Sequence, residues 1–154
     1  MALTIPPTSV ETYVSDIVAL NIHSPQGTGD WHTAATLAAD FPHTLFIYGN
    51  NQPHNTNHLL GHTGVIDGTE RLHNMGYRYQ NEPVFIADHP RACFDMLYTT
   101  SLQNGILNNI VLDDWFPALE DKQAVYNLIL QAEPKLNESE KARLQQWKKM
   151  NPLV

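Results

Sequence analysis

A chain of 154 residues with a single cysteine, 42% hydrophobic and 16% charged residues has the length and composition of one globular domain that buries a core without disulfides. Its net charge of −7 is unevenly carried: residues 1–70 hold six carboxylates (Glu11, Asp16, Asp30, Asp40, Asp67, Glu70) and no lysine or arginine, while residues 71–154 hold ten carboxylates and all nine basic side chains. An acidic half without a basic residue excludes the repeated phosphate contacts that drive nucleic-acid binding, and points instead to a cation or a basic protein surface as partner.

The first residues, Met1 to Pro7, lack the basic region and apolar run of a secretory signal, and no later run reaches membrane-spanning length. The expectation is a cytoplasmic protein without membrane contact. Thr8 and Glu11 have capping-box spacing, and Val10, Tyr13, Val14, Ile17 and Val18 follow at helical intervals, predicting an amphipathic helix that ends near Asn21. A loop with one proline and two glycines leads to Asp30, a predicted N-cap for a helix from Trp31 to Ala39 that Phe41 and Pro42 stop. Thr44 to Tyr48 reads as a strand ended by Gly49. The polar stretch from Asn50 to His62 has room for one short helix closed by Gly61. Asp67 and Glu70 repeat the capping spacing before a helix that Gly76 ends, and Tyr77 to Tyr79 reads weakly as a strand.

Val84 to Ala87 is four apolar residues, predicted as a buried strand. Asp88, His89 and Pro90 then open a helix, in which Phe94, Leu97, Tyr98, Ser101 and Leu102 share one face and Ala92, Cys93 and Met96 widen it, with Gly105 beyond the end. This strand and helix should be interior, with Cys93 a buried hydrophobe. Ile110 to Leu112 reads as a short strand or a buried loop. Val125, Leu128, Ile129 and Ala132 predict a helix stopped at Pro134, and Asn137 with Glu140 cap the last one, striped by Leu144, Trp147 and Met150. The fold class that results is α+β, a single compact domain with a small central sheet of short strands covered by five to seven helices.

Three groups of residues are candidates for chemistry. The loop of Ser24, Gln26, Gly27, Thr28, Gly29, Asp30 and His32 has the glycines of a phosphate cradle, but Asp30 follows Gly29 where a P-loop requires lysine, so it reads as a tight turn with an Asp30 N-cap and Trp31 as core anchor or, alternatively, as a binding loop. His54, His58 and His62 are spaced four apart and would share one helix face, where neutral imidazoles could hold one zinc or similar divalent ion, with Asp67 as a possible fourth ligand. Arg91 and Asp95, at i and i+4, read first as an ion pair on the exposed edge of the central helix, worth ~0.5 kcal/mol; a buried pair would instead mark a place where specificity matters more than stability.

The segment from Asp88 to Tyr98, placed just after a short strand, resembles the proline, charged, Arg, Ala, two apolar, Asp, Leu, Leu run of AbiEi-type antitoxins. The resemblance implies a cytoplasmic partner of a nucleotidyltransferase-like toxin in a toxin–antitoxin or phage-defence system. Here His89 and Pro90 stand where the family has Pro and Glu, and a winged helix with a basic recognition helix is absent from the N-terminal half. The leading expectation is a non-catalytic protein-interaction module without a cofactor, whose working surface is the acidic, Lys- and Arg-free N-terminal half with its polar loops, the 24–32 loop first among them, and whose partner presents a basic face. The alternative is a small metal-dependent hydrolase built on the three histidines.

Overall fold

The computed structural model describes residues 3–25 and 42–153. Its strands are β1 (Thr4–Ile5), β2 (Thr12–Val14), β3 (Ile47–Gly49), β4 (Val65–Asp67), β5 (Arg78–Tyr79) and β6 (Phe85–Ala87). Its α-helices are α1 (Asp16–Leu20), α2 (Asn57–Leu60), α3 (Thr69–Asn74), α4 (His89–Met96), α5 (Leu112–Trp115), α6 (Leu119–Ala132) and α7 (Glu138–Met150). The protein is thus α+β, with short strands and seven α-helices among the described residues.

Four strands form the main sheet in the order β3-β2-β6-β4. β2 runs antiparallel to β3 and parallel to β6, meeting it at Val14 and Ile86, and β4 is antiparallel to β6 with Ile66 opposite Ile86. β1 and β5 pair in parallel as a separate ribbon. Gly49 ends β3 at φ +127°, in the backbone region that favours glycine, and a Cβ there would collide with the Glu11 carbonyl. The sheet can close against β2 only because that position has no side chain.

The 84–105 segment organises the core as its composition requires. The Asp88 carboxylate accepts from the Arg91 amide at 2.9 Å and Pro90 sits in the first turn, so α4 starts where its capping residues place it. Ala92, Cys93, Phe94 and Leu97 are fully buried, and α4 packs on α1 and α6. Beyond Met96 the helix widens into a π-helix over Leu97–Leu102. Its open carbonyls are met by Arg143 of α7, whose Nη1 donates to Leu102 at 2.7 Å and Gln103 at 3.0 Å. Trp147, also on α7, is wholly buried and donates its indole N–H to the Ile110 carbonyl at 3.1 Å. The α7 N-terminus carries the full capping box of Asn137 and Glu140 expected from its sequence. Ile110 is buried in irregular chain and α5 begins at Leu112, which settles that segment as a loop.

Two expected elements differ. The helix expected over residues 8–21 is instead β2 followed by the short α1. Tyr13 and Val14 are buried in the middle of the sheet, and the Thr8 hydroxyl accepts from the Phe85 amide at 2.8 Å instead of capping a helix. Apolar residues at 10, 13, 14, 17 and 18 satisfy a strand that turns into a helix as readily as one continuous helix. The strand expected over Thr44 to Tyr48 is displaced: His43–Leu45 is a 3₁₀ turn, and pairing with β2 begins only at Ile47. The predicted helix from Trp31 to Ala39 lies outside the described residues.

Candidate functional site

Arg91 and Asp95 project from α4 into the space between β2 and α2. Both side chains have zero exposure, which overturns the expected surface pair. Asp95 Oδ1 accepts from Arg91 Nε at 3.2 Å and from the Thr56 hydroxyl at 2.5 Å, and its Oδ2 accepts from the hydroxyls of Tyr13 and Ser15, each at 2.7 Å. Arg91 directs Nη1 to the carbonyls of Gly61 and Thr63, at 3.0 and 2.6 Å. Its Nη2 donates to the Tyr13 hydroxyl at 2.9 Å, and its guanidinium lies 5.1 Å from the centre of that ring. Gly64, at φ +83°, lies against the arginine stem; a Cβ there would come within 2.6 Å of Arg91 Cβ. Burial, and after it the Asp95 charge, push the Tyr13 phenol far above its usual range, so it serves as a fixed donor. Every ion and hydroxyl in this cluster has a partner, which is the condition for holding charge in a core.

The residue after Ser15 is in a different state. Asp16, the first residue of α1, has φ +59°, a conformation that costs a non-glycine residue about 1–3 kcal/mol unless its surroundings over-determine it. Ser15 is pinned on one side by its Asp95 hydrogen bond and by its amide, which donates to the Phe46 carbonyl at 2.7 Å. The Asp16 Oδ2 accepts from the Tyr48 hydroxyl at 2.6 Å, while Oδ1 folds back to accept from the Ile17 amide at 2.7 Å. The Tyr48 oxygen is 3.2 Å from Thr99 Oγ1 on the π-helix. With the Tyr48 proton on Asp16, the single Thr99 proton is shared between the Tyr48 oxygen and the backbone carbonyls of Asp95 and Met96. Asp16 has no lysine or arginine partner among the described residues, and burial raises its carboxyl above the usual range, with the Tyr48 bond opposing. Burial also drives the Tyr48 phenol upward, with the Asp16 charge adding to it.

These groups meet at a cleft of about 280 Å³ lined by Asp16, Ile17, Leu45, Tyr48, His54, Thr99, Thr100 and Asn104. His54 reaches it with its ring 5.2 Å from that of Tyr48. Asn104 donates its amide N–H to the Thr99 carbonyl, which leaves its side-chain oxygen as an acceptor. The π-helix sets this wall: the Thr99 hydroxyl is also 3.1 Å from the Asp95 carbonyl oxygen, and Thr100 donates to the Met96 carbonyl at 2.7 Å. Wide turns of this kind often occur at functional sites. No protein-family model, curated protein or solved structure matches the chain. What the cleft can do therefore follows from its own chemistry: it presents an under-compensated carboxylate, several acceptor oxygens and a short apolar wall.

The sequence candidates fall in different places. Ser24 is half-buried near the end of the first described stretch. Gln26, Gly27, Thr28, Gly29, Asp30 and His32, with Trp31, lie outside the described residues. His54, His58 and His62 do not share a helix face, because α2 is only Asn57–Leu60: His54 precedes it and His62 follows its Gly61 cap. His54 turns to Tyr48 and His58 packs edge-on to Tyr98, with ring centres 6.0 Å apart. Among the described residues no group of three or more His, Cys, Asp or Glu side chains is placed to hold a metal ion. Asp67 accepts from the amide and hydroxyl of Thr69, at 3.0 and 2.6 Å, as the turn that starts α3. The resemblance-bearing segment is the α4 cap and helix, and its Arg91 and Asp95 are internal.

Sequence reading missed Asp16, Tyr48, Thr99 and Asn104. One signal was present: Ser15 and Asp16 separate the apolar pairs Tyr13–Val14 and Ile17–Val18, and a carboxylate there must either face solvent or find a buried partner.

Proposed function

We propose that the protein is a non-catalytic recognition module that engages a basic protein partner through the Asp16 cleft. The observation that carries this reading is a desolvated carboxylate, held in strained backbone in a cleft, with no lysine or arginine among the described residues to neutralise it and only the nearby His54 to offset its charge. A cation supplied by a partner would recover the Coulombic energy that the protein itself leaves unused, and burial makes that energy larger than at an open surface. The absence of lysine and arginine from residues 1–70 favours the same partner, because nothing on that half repels a basic face. At about 280 Å³ the cleft is below the range of pockets that enclose drug-sized ligands, and suits one inserted side chain. The likeness of the 88–98 segment to AbiEi-type antitoxins makes a nucleotidyltransferase-like toxin the first partner to try.

The test is fluorescence anisotropy with labelled peptides of matched length, one set carrying several lysines and arginines and the other glutamates. The basic set should bind the wild-type protein, and Asp16→Asn should weaken that binding at least tenfold while leaving the far-ultraviolet circular dichroism spectrum unchanged. Equal binding of basic and acidic peptides, or full binding by Asp16→Asn, would remove the cleft from the recognition surface.

A further inference from the structure

Resting on that reading of the cleft, we infer that its floor and walls form a socket for one lysine side chain of the partner, and that they discriminate against arginine. Three features of the geometry lead there.

The first is how the carboxylate is already used. A guanidinium gains most when two parallel N–H donors meet both oxygens along one open edge. In Asp16 one oxygen is engaged by the short 2.6 Å bond from Tyr48 and the other is folded back onto the Ile17 amide at 2.7 Å. Each oxygen retains acceptor capacity, but the pair no longer presents an unencumbered edge. An ammonium group, a compact charge with three rotatable donors, needs only one of the remaining lone pairs.

The second is the arrangement of the other acceptors. Thr99 and Asn104 line the same cleft, and with its nitrogen committed to the Thr99 carbonyl Asn104 keeps its side-chain oxygen as an acceptor. Thr99 lies on the π-helix and Asn104 in the turn that follows it, whereas Asp16 comes from the start of α1. Acceptors drawn from separate parts of the chain match a tripod of donors better than a planar fork.

The third is the apolar side. Ile17 and Leu45 line the cleft, and Leu45 is 47% exposed, a large hydrophobe left open to solvent. A lysine inserted ammonium-first would lay its four methylenes on such a wall while its head reaches the carboxylate. Among the described residues His54 is the other titratable side chain besides Tyr48 and Asp16 that lines the cleft, its ring set 5.2 Å from that of Tyr48.

Two tripeptides, N-acetyl-Gly-Lys-Gly-amide and its Gly-Arg-Gly counterpart, test the socket by NMR titration of the full chain. The amide of Ile17 is the reporter, because it donates to the carboxylate that the ligand would share. The lysine peptide should shift that resonance saturably and bind at least tenfold more tightly than the arginine peptide, and Thr99→Val should reduce that preference without abolishing binding. Arginine binding as tightly as lysine overturns the lysine socket while leaving the basic-partner reading standing. Failure of both tripeptides to move Ile17, with the longer basic peptides still bound and Asp16→Asn still weakening them, also overturns the socket; failure of every basic peptide overturns both readings.

Discussion

Replacing Asp95 with alanine is the most demanding test of the buried cluster. The guanidinium of Arg91 would stay behind with zero side-chain exposure and no counter-ion, and breaking a buried pair in this way costs about 3–5 kcal/mol. The hydroxyls fare unequally. Tyr13 and Thr56 remain 3.3 Å from one another and both still receive Arg91 Nη2, so they can re-pair. Ser15, which is fully buried, loses the carboxylate its hydroxyl donates to, at a further cost of about 1–3 kcal/mol. A domain of this size has only about 5–15 kcal/mol of stability, so the variant should lose a third or more of it. Urea unfolding followed by intrinsic tryptophan fluorescence measures the loss as a fall in midpoint at constant slope. The Arg91→Met, Asp95→Leu double variant should recover part of it, because an apolar pair leaves no orphaned charge. If Asp95→Ala is too unstable to purify, Ser15→Ala gives a milder reading of about 1–2 kcal/mol. A loss below about 1 kcal/mol for Asp95→Ala would mean that the pair is hydrated, and the account given for this core would be wrong.

Burial raises the Asp16 carboxyl, so the folded state holds its proton more tightly than the unfolded chain does; stability therefore falls as pH rises from the ordinary carboxylate value through the raised one, and the penalty is fully present above it. Asp16→Asn, whose amide tolerates positive φ, should accordingly be more stable than wild type at pH 7, with the advantage shrinking toward pH 4 in paired urea titrations. Because His54, His58 and His62 are divided between a loop, a short helix and a turn, elemental analysis of dialysed protein should find well under one zinc per chain and EDTA should leave the melting temperature unchanged; stoichiometric zinc would reopen the hydrolase reading. Asn137→Ala removes one side of the α7 capping box and should cost about 1 kcal/mol in the same urea assay.

What could be read from the sequence was local. The start of α4 follows from Asp88 and Pro90, and the start of α7 from Asn137 and Glu140, because caps act within three or four residues of one another. The stripe of α6 likewise reports a face directly, and that of α7 does so for Leu144 and Trp147, while Met150 at the helix end stays exposed. The first twenty residues could not be read this way, since their outcome depends on β6, which pairs with β2 at Val14 and Ile86, and on a Phe85 amide that claims the Thr8 hydroxyl. For Arg91 and Asp95 the i, i+4 spacing announced the pair but not its depth. Depth was set by hydroxyls from Tyr13, Ser15 and Thr56, on other elements, which make burial of the charge tolerable. The cleft is less legible still: Asp16, Tyr48, His54 and Thr99 come from α1, β3, a loop and the π-helix, and nothing local couples them.

The two carboxylates are adjacent in the fold and opposite in their satisfaction, and the junction between them explains how one supports the other. Asp95 has an arginine and three hydroxyls; one of those hydroxyls belongs to Ser15, the residue immediately before Asp16. The Ser15 amide is also fixed, by the Phe46 carbonyl, so the backbone enters Asp16 from a rigid position and leaves it into α1. Thr99 joins the two sites from the other side, its hydroxyl lying within hydrogen-bond distance of both the Asp95 carbonyl and the Tyr48 oxygen. Strain at Asp16 can persist because each neighbour that would have to move is held by the buried cluster. The fully paired charge in the core thus acts as the foundation that keeps the incompletely paired one aimed into the cleft.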